Sequence, residues 1–214
     1  MIDLLIPVLN RPQNAQPLVD SIRAATTVPY RVVFLATADD KDEVSACRRT
    51  GATILLCKER GYAHKINAGA RMSKAEFLFL GADDLDFHAD WDRAATDRYY
   101  ATGKPVVGTN DLGNATVMAG KHATHSLVHR SYLEHGTVDD PEQLLNEGYE
   151  HNWVDTEFIE TAKSRDAFTF AADSHVEHPH PFWKKGPDDD VYAWARARYH
   201  LDSSTYRQRR KLWR

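Results

Sequence analysis

Four apolar runs alternate with helical patterns in the first hundred residues, and this alternation restricts the fold more than any other feature. Each run is long enough for a buried strand, and the runs cover residues 2–8, 31–36, 52–57 and 76–80. The segments between them predict helices over 12–25, 41–50 and 63–73. Strands that alternate with helices of about 10–15 residues are typical of parallel βαβ units. We therefore predict an α/β fold with a mostly parallel central sheet flanked by helices.

The second half of the chain is less regular. Short strands are predicted over 105–108, 126–129 and 167–172, helices around 141–149 and 154–163, a loop over 173–190, and a helix at the C-terminus. A chain of 214 residues suits one domain, which we place at 1–195. Within it, residues 1–103 form a ligand-binding half and 104–195 an irregular second half. Residues 196–214 are expected to be a basic helix or tail.

Composition excludes several classes of protein. Hydrophobic residues make up 42% and charged residues 27% of the chain, which is typical of a soluble globular protein. No stretch reaches the roughly 18 uninterrupted apolar residues of a membrane-spanning helix, and the start lacks the pattern of a signal peptide. With only two cysteines, no disulfide framework is expected. These features predict a cytoplasmic protein.

The charge is distributed unevenly. The net charge is -4, yet residues 196–214 carry seven basic side chains and one acidic side chain. A basic segment of this kind can contact an anionic partner such as nucleic acid or a membrane surface, although charges near a chain end are usually solvated.

Three carboxylates, Asp83, Asp84 and Asp86, follow directly on the predicted strand over 76–80. Ligands of parallel sheets bind at the carboxyl ends of strands, and carboxylates this close repel one another unless a cation lies among them. Hard divalent ions such as Mn²⁺ or Mg²⁺ take oxygen ligands together with substrate phosphates. The pattern therefore predicts a metal site for a phosphorylated ligand, and its alternative is a solvated turn before the next helix.

The segment LFLGADDLDFH, residues 78–88, resembles the strand and Asp-x-Asp motif of family 2 glycosyltransferases, which have the GT-A fold. Two further segments match that family in the same order: IPVLNRP at 6–12 and RGYAHKINAGA at 60–70. Together they extend over about residues 2–92. The resemblance implies a Rossmann-like GT-A fold with a nucleotide-sugar half followed by an acceptor half.

The resemblance also implies roles for particular residues in the first half. Those expected to bind the nucleotide sugar are Pro7, Val8, Leu9, Arg11, Thr37, Asp39, Lys65, Asn67 and Asp83. Asp84 is the expected metal ligand, with Asp86 as the alternative. The family usually has an acidic residue at the end of the second strand, where this chain has Ala36 and Thr37. Asp39 or Asp40 is expected to substitute for it, and uridine is the expected base.

Two motifs in the second half complete the predicted site. In HNWVDTEF, residues 151–158, Asp155 matches the family's catalytic base, and its alternative is a helix cap. In HVEHPHPFW, residues 175–183, His178 or His180 is expected to add a metal ligand. A weaker prediction places five further residues in an acceptor site: Asn110, Asp111, His125, Trp153 and Glu157.

The predicted function is metal-dependent transfer of a sugar from a nucleotide-diphosphate sugar to an acceptor hydroxyl, with inversion. The acceptor is left open among a sugar, a protein side chain and a modified nucleic acid. Three alternatives are a nucleotidyltransferase, a metal-dependent hydrolase of nucleotide or sugar esters, and a non-catalytic module that binds nucleotide sugars. A nucleotidyltransferase normally has a glycine-rich N-terminal loop, and IPVLNRPQN contains no glycine.

Overall fold

The computed structural model describes residues 1–212 as an α/β fold around one eight-stranded sheet. The strands are β1 (Ile2–Pro7), β2 (Tyr30–Thr37), β3 (Thr53–Cys57), β4 (Phe77–Leu80), β5 (Asp86–Phe87), β6 (Val106–Asn110), β7 (Ser126–His129) and β8 (Phe168–Glu177). The helices are α1 (Ala15–Ala25), α2 (Lys41–Arg49), α3 (Tyr62–Met72), α4 (Trp91–Thr102), α5 (Ala115–Met118), α6 (Val154–Ser164) and α7 (Asp190–Arg209). Three short 3₁₀ helices cover Pro12–Asn14, Arg130–Glu134 and Pro181–Trp183.

The strand order is β3-β2-β1-β4-β7-β6-β8-β5. The pairs β3–β2, β2–β1, β1–β4 and β6–β8 are parallel, whereas β7 runs antiparallel to both of its neighbours. Because Ser126 at the start of β7 pairs with Leu80 at the end of β4, the segment before β7 reaches the carboxyl edge of the parallel strands. The predicted α/β class with a mostly parallel sheet is confirmed.

Two hydrophobic cores cover the two faces of the sheet because side chains alternate along each strand. Leu4 and Ile6 of β1 point into the core beneath α1, α2 and α4, and Leu5 points into the core beneath α3 and α6. Phe79 and Trp91 make an edge-to-face contact with centroids 4.9 Å apart in the first core. Both faces of β1 are therefore buried, as its uninterrupted apolar sequence predicts.

The prediction of a helix around 141–149 is wrong. This segment contains turns, and its backbone is bound by a distant side chain instead of by its own fourth neighbour. The amide of Asn67 on α3 accepts from the Leu145 N–H (2.9 Å) and donates to the Leu145 carbonyl (2.8 Å). Leu144 and Tyr149 are buried in the second core. Tertiary hydrogen bonds thus replace the local ladder that a helix requires.

Two further boundaries differ from the sequence prediction. β8 continues to Glu177, into the segment predicted to be a loop, because its C-terminal part pairs with β5. The pairing of β8 with β6 shifts in register before that part. α7 begins at Asp190, so the predicted boundary between residues 195 and 196 lies inside one helix. Trp213 and Arg214 of the predicted basic tail lie outside the described residues. Among residues 1–212, no helix is both long and apolar enough to span a membrane.

α7 is fixed to the domain by a buried ion-pair network. Arg209 donates from Nε to Glu157 Oε2 (2.8 Å) and from Nη1 to Asp139 Oδ2 (3.0 Å). The hydroxyl of Tyr149 donates to Glu157 at 2.6 Å. Glu157 is only 3% exposed, so its charge depends on these partners. At least this part of the basic C-terminal segment has a structural role.

We expect Arg209→Met to lower the free energy of unfolding by about 3–5 kcal/mol, because it leaves the Glu157 carboxylate buried without its cation. Urea unfolding at pH 7 measures the change. Arg210→Met is the matched control, since it removes an adjacent arginine and should change stability by less than about 0.5 kcal/mol. Equal stability of the two variants would contradict a buried ion pair at Arg209.

Candidate active site

A cavity of about 780 Å³ lies at the carboxyl edge of the parallel strands. Segments that follow β1, β4 and β8 meet there with the segments before β7 and α6 and the first turns of α7. The predicted site residues that line it are Pro7, Val8, Leu9, Arg11, Lys65, Asp83, Asp84, Asp111, His125, Trp153, Asp155, His178 and His180. The fold therefore brings together residues that are up to 173 positions apart in the sequence.

Arg11 is the charge centre of this cavity. Its Nη1 donates to Asp83 Oδ1 (3.1 Å) and Asp84 Oδ2 (2.8 Å), and its Nε and Nη2 donate to the two oxygens of Asp189 (2.8 and 3.0 Å). The guanidinium also lies 4.5 Å from the ring centroid of Tyr192. Arg11 is 6% exposed, so it joins the acidic end of β4 to the start of α7 in a largely water-free environment.

The two adjacent carboxylates differ in protonation. Burial, together with the charge of Asp84, raises the pKa of Asp83 against the opposing effect of Arg11. Burial also disfavours ionised Asp84, but its 3.4 Å contact with His178 Nε2 and the charge of Arg11 lower its pKa overall. The Tyr192 hydroxyl donates a further hydrogen bond to Asp84 Oδ2 at 2.5 Å. Asp84 is therefore the ionised member of the pair.

Asp84 and His178 fit a divalent metal ion. Asp84 Oδ1 is buried and accepts no hydrogen bond from any residue in 1–212, and it lies 3.4 Å from His178 Nε2. Two atoms that each bind one ion at about 2.1 Å can be at most about 4.2 Å apart, so both can ligate the same ion. A carboxylate and an imidazole suit manganese, with the other coordination positions left for phosphate and water.

The other predicted metal ligands lie differently. His180 is near His178, with ring centroids 5.0 Å apart, but its Nδ1 accepts from the Phe182 N–H and caps a 3₁₀ turn. Asp86 does not line the cavity: it lies on β5, is exposed, and accepts from the Ser21 hydroxyl at 2.9 Å. It belongs to a second group, with His88 and Glu177, whose possible ligand atoms all lie within 4.8 Å of one another.

The side of the cavity formed by β1 and α3 is lined by Pro7, Val8, Leu9 and a buried lysine. Lys65 is 1% exposed, and its Nζ donates to the Val8 carbonyl at 2.6 Å; burial lowers its pKa. The acidic residues after β2 have other partners. Asp39 pairs with Arg60 at 2.9 Å on the surface, and Asp40 caps α2 by accepting from the Glu43 N–H. Neither lines the cavity.

Asp155 lies on the wall formed by the first turn of α6, where it is paired with a histidine. Its Oδ2 is 3.1 Å from His122 Nε2, and its Oδ1 accepts from the Thr156 N–H at 2.8 Å. Burial opposes ionisation of Asp155, but the hydrogen bond and charge of His122 lower its pKa. Burial lowers and Asp155 raises the pKa of His122, which is raised overall.

His125 lies between this pair and the acidic strand end. Its Nδ1 donates to the Leu80 carbonyl at 3.0 Å, which leaves Nε2 as a hydrogen-bond acceptor. Within the described part of the chain this Nε2 is buried without a hydrogen-bond partner. Burial and the neighbouring His178 lower the pKa of His125 to about 4, so the ring is neutral at pH 7.

α7 also positions the segment that carries Trp153 and Asp155. The carboxylate of Asp202, 1% exposed, accepts the backbone N–H groups of three consecutive residues at 2.7–3.0 Å: Glu150, His151 and Asn152. Trp153 follows with a left-handed φ of 67° and stacks on Tyr206, with centroids 4.6 Å apart. A non-glycine residue in this conformation must be held by its surroundings, and α7 supplies them.

Five further predicted residues lie outside the cavity lining: Thr37, Asp39, Asn67, Asn110 and Glu157. Asn67 binds the backbone of Leu145, Glu157 binds Arg209, and the Asn110 amide donates to the Ala172 carbonyl. Three lining or neighbouring residues were absent from the predicted set: His122, Asp189 and Tyr192. His122 belongs to a polar segment visible in the sequence, whereas no local pattern identifies Asp189 or Tyr192, which are brought in by α7.

No protein-family model matches this sequence, and no curated protein matches it. Solved structures do match. A mannosyltransferase, PcManGT from Pyrobaculum calidifontis in complex with GDP-Man and Mn²⁺, matches with a TM-score of 0.67 and 18% identity over 96% of this chain. This chain covers 64% of that mannosyltransferase's length.

Glucosyl-3-phosphoglycerate synthase from Mycobacterium tuberculosis, in complex with phosphoglyceric acid, matches with a TM-score of 0.64 and 14% identity. That match covers 95% of this chain and 79% of the synthase. The same synthase with Mn²⁺, UDP and glucosyl-3-phosphoglycerate matches with a TM-score of 0.65 and 13% identity over 92% of this chain and 76% of the synthase. These likenesses show that the chain has the GT-A fold, as the three sequence segments imply.

The geometry around Arg11 predicts a measurable link between this arginine and metal. Arg11→Met leaves ionised Asp84 and Asp189, and the carboxyl group of Asp83, without their shared cation, so the free energy of unfolding should fall by about 3–5 kcal/mol. Mn²⁺ can compensate the same charges and should therefore raise the melting temperature of this variant more than that of the wild-type protein. Thermal unfolding with and without Mn²⁺ measures both effects.

Arg23→Met is the matched control because Arg23 is 61% exposed and, within residues 1–212, its ion pair is with Asp20 on the surface of α1. It should leave both the melting temperature and its response to Mn²⁺ unchanged. A melting temperature of the Arg11 variant that does not respond to Mn²⁺ would show that the carboxylates do not form a cation site.

Proposed function

We propose that this chain is a metal-dependent glycosyltransferase that moves a sugar from a nucleoside-diphosphate sugar to an acceptor hydroxyl. The observation that supports this most directly is the buried Asp84 Oδ1, which accepts no hydrogen bond within residues 1–212 and lies 3.4 Å from His178 Nε2 at the end of β4 in a GT-A fold. The matched mannosyltransferase and synthase structures contain Mn²⁺ with GDP-Man or with UDP. The same kind of donor complex fits the charge and position of this site.

The donor would lie along the carboxyl ends of β1 and β4. The segment from Pro7 to Leu9, together with Lys65, forms the pocket for the base, with uridine as the expected base. Asp83, which has a raised pKa, lies beside it and is suited to donate a hydrogen bond to the ribose or a phosphate.

Asp84 and His178 would hold the divalent ion, Mn²⁺ or Mg²⁺. When bound, the ion supplies positive charge that stabilises the leaving diphosphate. Arg11 is not free to do this alone, because its guanidinium is shared among three carboxylates. Asp84 already makes this part of the site negative, so a bound diphosphate would require a further cation.

The acceptor would enter at the wall formed by the start of α6, between the His122–Asp155 pair and Trp153. Inverting transfer requires removal of a proton from the acceptor hydroxyl as the new bond forms. Asp155 is the predicted carboxylate of this step and lies on that wall. Trp153 and the exposed Phe182 offer aromatic surface for a sugar or another flat group.

The proposal is tested by titrating the protein with UDP-glucose and GDP-mannose, with and without Mn²⁺, by calorimetry. We expect one of them to bind only with Mn²⁺, and Asp84→Asn to weaken this binding at least about tenfold, the equivalent of 1.4 kcal/mol. Asp86→Asn is the comparison variant: this side chain does not line the cavity, so binding should be unchanged.

Other outcomes would favour other functions. Binding of nucleoside triphosphates but of no nucleotide sugar would indicate a nucleotidyltransferase and reject our proposal. Release of nucleoside diphosphate at a rate that no added acceptor increases would indicate a hydrolase. Metal-linked binding without any turnover would indicate a non-catalytic binding module.

A further inference from the structure

The pair formed by His122 and Asp155 has a defined arrangement of protons. Asp155 Oδ2 is 3.1 Å from His122 Nε2. An ionised carboxylate only accepts hydrogen bonds, so Nε2 must carry the proton. In the neutral ring Nδ1 then holds the lone pair. Nδ1 makes no hydrogen bond to any residue of the described chain, 1–212, and the ring lines the cavity.

Asp155 is already engaged through both of its carboxylate oxygens. Both of its oxygens are already acceptors, Oδ2 from His122 and Oδ1 from the Thr156 N–H at the start of α6. These hydrogen bonds and the positive end of the helix stabilise the ionised carboxylate, whose pKa is lowered. A general base works best when its pKa is near the operating pH, and a carboxylate below its ordinary value of about 3.9 is far from it.

We propose that His122 is the catalytic base of this chain, through Nδ1, and that Asp155 is a positioning residue that holds the imidazole in the Nε2–H tautomer. This inference rests on the proposed inverting glycosyl transfer. It replaces the sequence-based assignment of Asp155 as the base. Asp155 is still expected to be required for full activity.

The step balances as a single displacement. The acceptor hydroxyl gives its proton to Nδ1 of neutral His122, and the oxygen's electron pair forms the bond to C1 of the donor sugar. The bond between C1 and the diphosphate oxygen breaks, and its electron pair leaves with the nucleoside diphosphate. The imidazolium that forms is stabilised by the charge of Asp155, and it returns its proton to water after product release.

The surroundings of His122 set the pH at which it can act. Asp155 and Asp111 favour its protonated form, whereas Lys163 and burial disfavour it, and the pKa is raised overall from 6.5. Activity should therefore be lost as the pH falls through this raised pKa, because the protonated ring has no lone pair. Removing the Asp155 charge lowers the pKa of His122, so the acid limb of the pH profile should move to lower pH.

The first test is kinetic. The nucleotide sugar that the wild-type protein binds with Mn²⁺ is supplied with water or glycerol as the hydroxyl, and release of nucleoside diphosphate is followed from pH 5 to 9. We expect His122→Asn and His122→Gln to lower kcat by about 10²–10⁴-fold while donor affinity changes less than threefold. Asp155→Asn should lower kcat and move the acid limb of kcat down by about one pH unit or more.

His200→Asn is the matched control, because His200 is exposed on α7 and lies outside the cavity lining. Turnover of the His122 variants within threefold of the wild-type protein would overturn the assignment of the base. So would a wild-type profile with no loss of activity between pH 9 and pH 5, since a base with a pKa above 6.5 must lose activity within that range.

The second test does not depend on turnover. Nitrogen chemical shifts of the His122 ring, assigned by their loss in His122→Asn, should show the Nε2–H tautomer at pH 8 and a pKa above 6.5 that falls in Asp155→Asn. An Nδ1–H tautomer would overturn the proposal. If the wild-type protein neither binds a nucleotide sugar nor releases nucleoside diphosphate, the proposed function fails, whereas normal turnover without His122 rejects only the base.

Discussion

The shared guanidinium of Arg11 is the interaction on which the rest of the site depends. The parallel arrangement of β1 and β4 brings the segments after both strands to one edge, so Arg11 meets Asp83 and Asp84 there. Carboxylates this deeply buried would be costly without a cation. Because the same guanidinium also binds Asp189, the charge balance of the strand end is tied to the position of α7.

α7 is therefore part of the site and not an appendage. Its first turns bring Asp189 and Tyr192 to the acidic strand end, and its middle brings Asp202 to the backbone of residues 150–152. Its last turn binds Glu157 through Arg209. One helix thus contacts both the acidic strand end and the segment that leads into α6. Arg209 uses its charge inside the protein, where the sequence suggested an external anionic partner.

The two walls divide the proposed chemistry by charge. The strand-end wall holds ionised Asp84 beside Arg11 and His178, an environment suited to a cation and a diphosphate. The wall at the start of α6 holds a histidine with a raised pKa beside a carboxylate with a lowered pKa, an arrangement suited to proton transfer near neutral pH. Between them His125 stays neutral, because burial and the Leu80 carbonyl fix its protonation and tautomer. The environment of Asp84 thus suits stabilisation of the leaving diphosphate, and the environment of His122 suits removal of the acceptor proton.

The sequence by itself determined the α/β class, seven of the eight strands to within a few residues, and the strand end where the carboxylates gather. These follow from apolar periodicity and from the rule that ligands bind at the carboxyl ends of strands, which are both local properties. Only the tertiary structure decided that 141–149 is not a helix, that Asn67 and Glu157 bind structural partners, and that Asp84 faces the cavity while Asp86 faces Ser21. It also paired Asp155 with His122, 33 residues away. The partner of a side chain, and therefore its protonation, depends on which helices and strands pack together. The residues next to it in the sequence do not specify that packing.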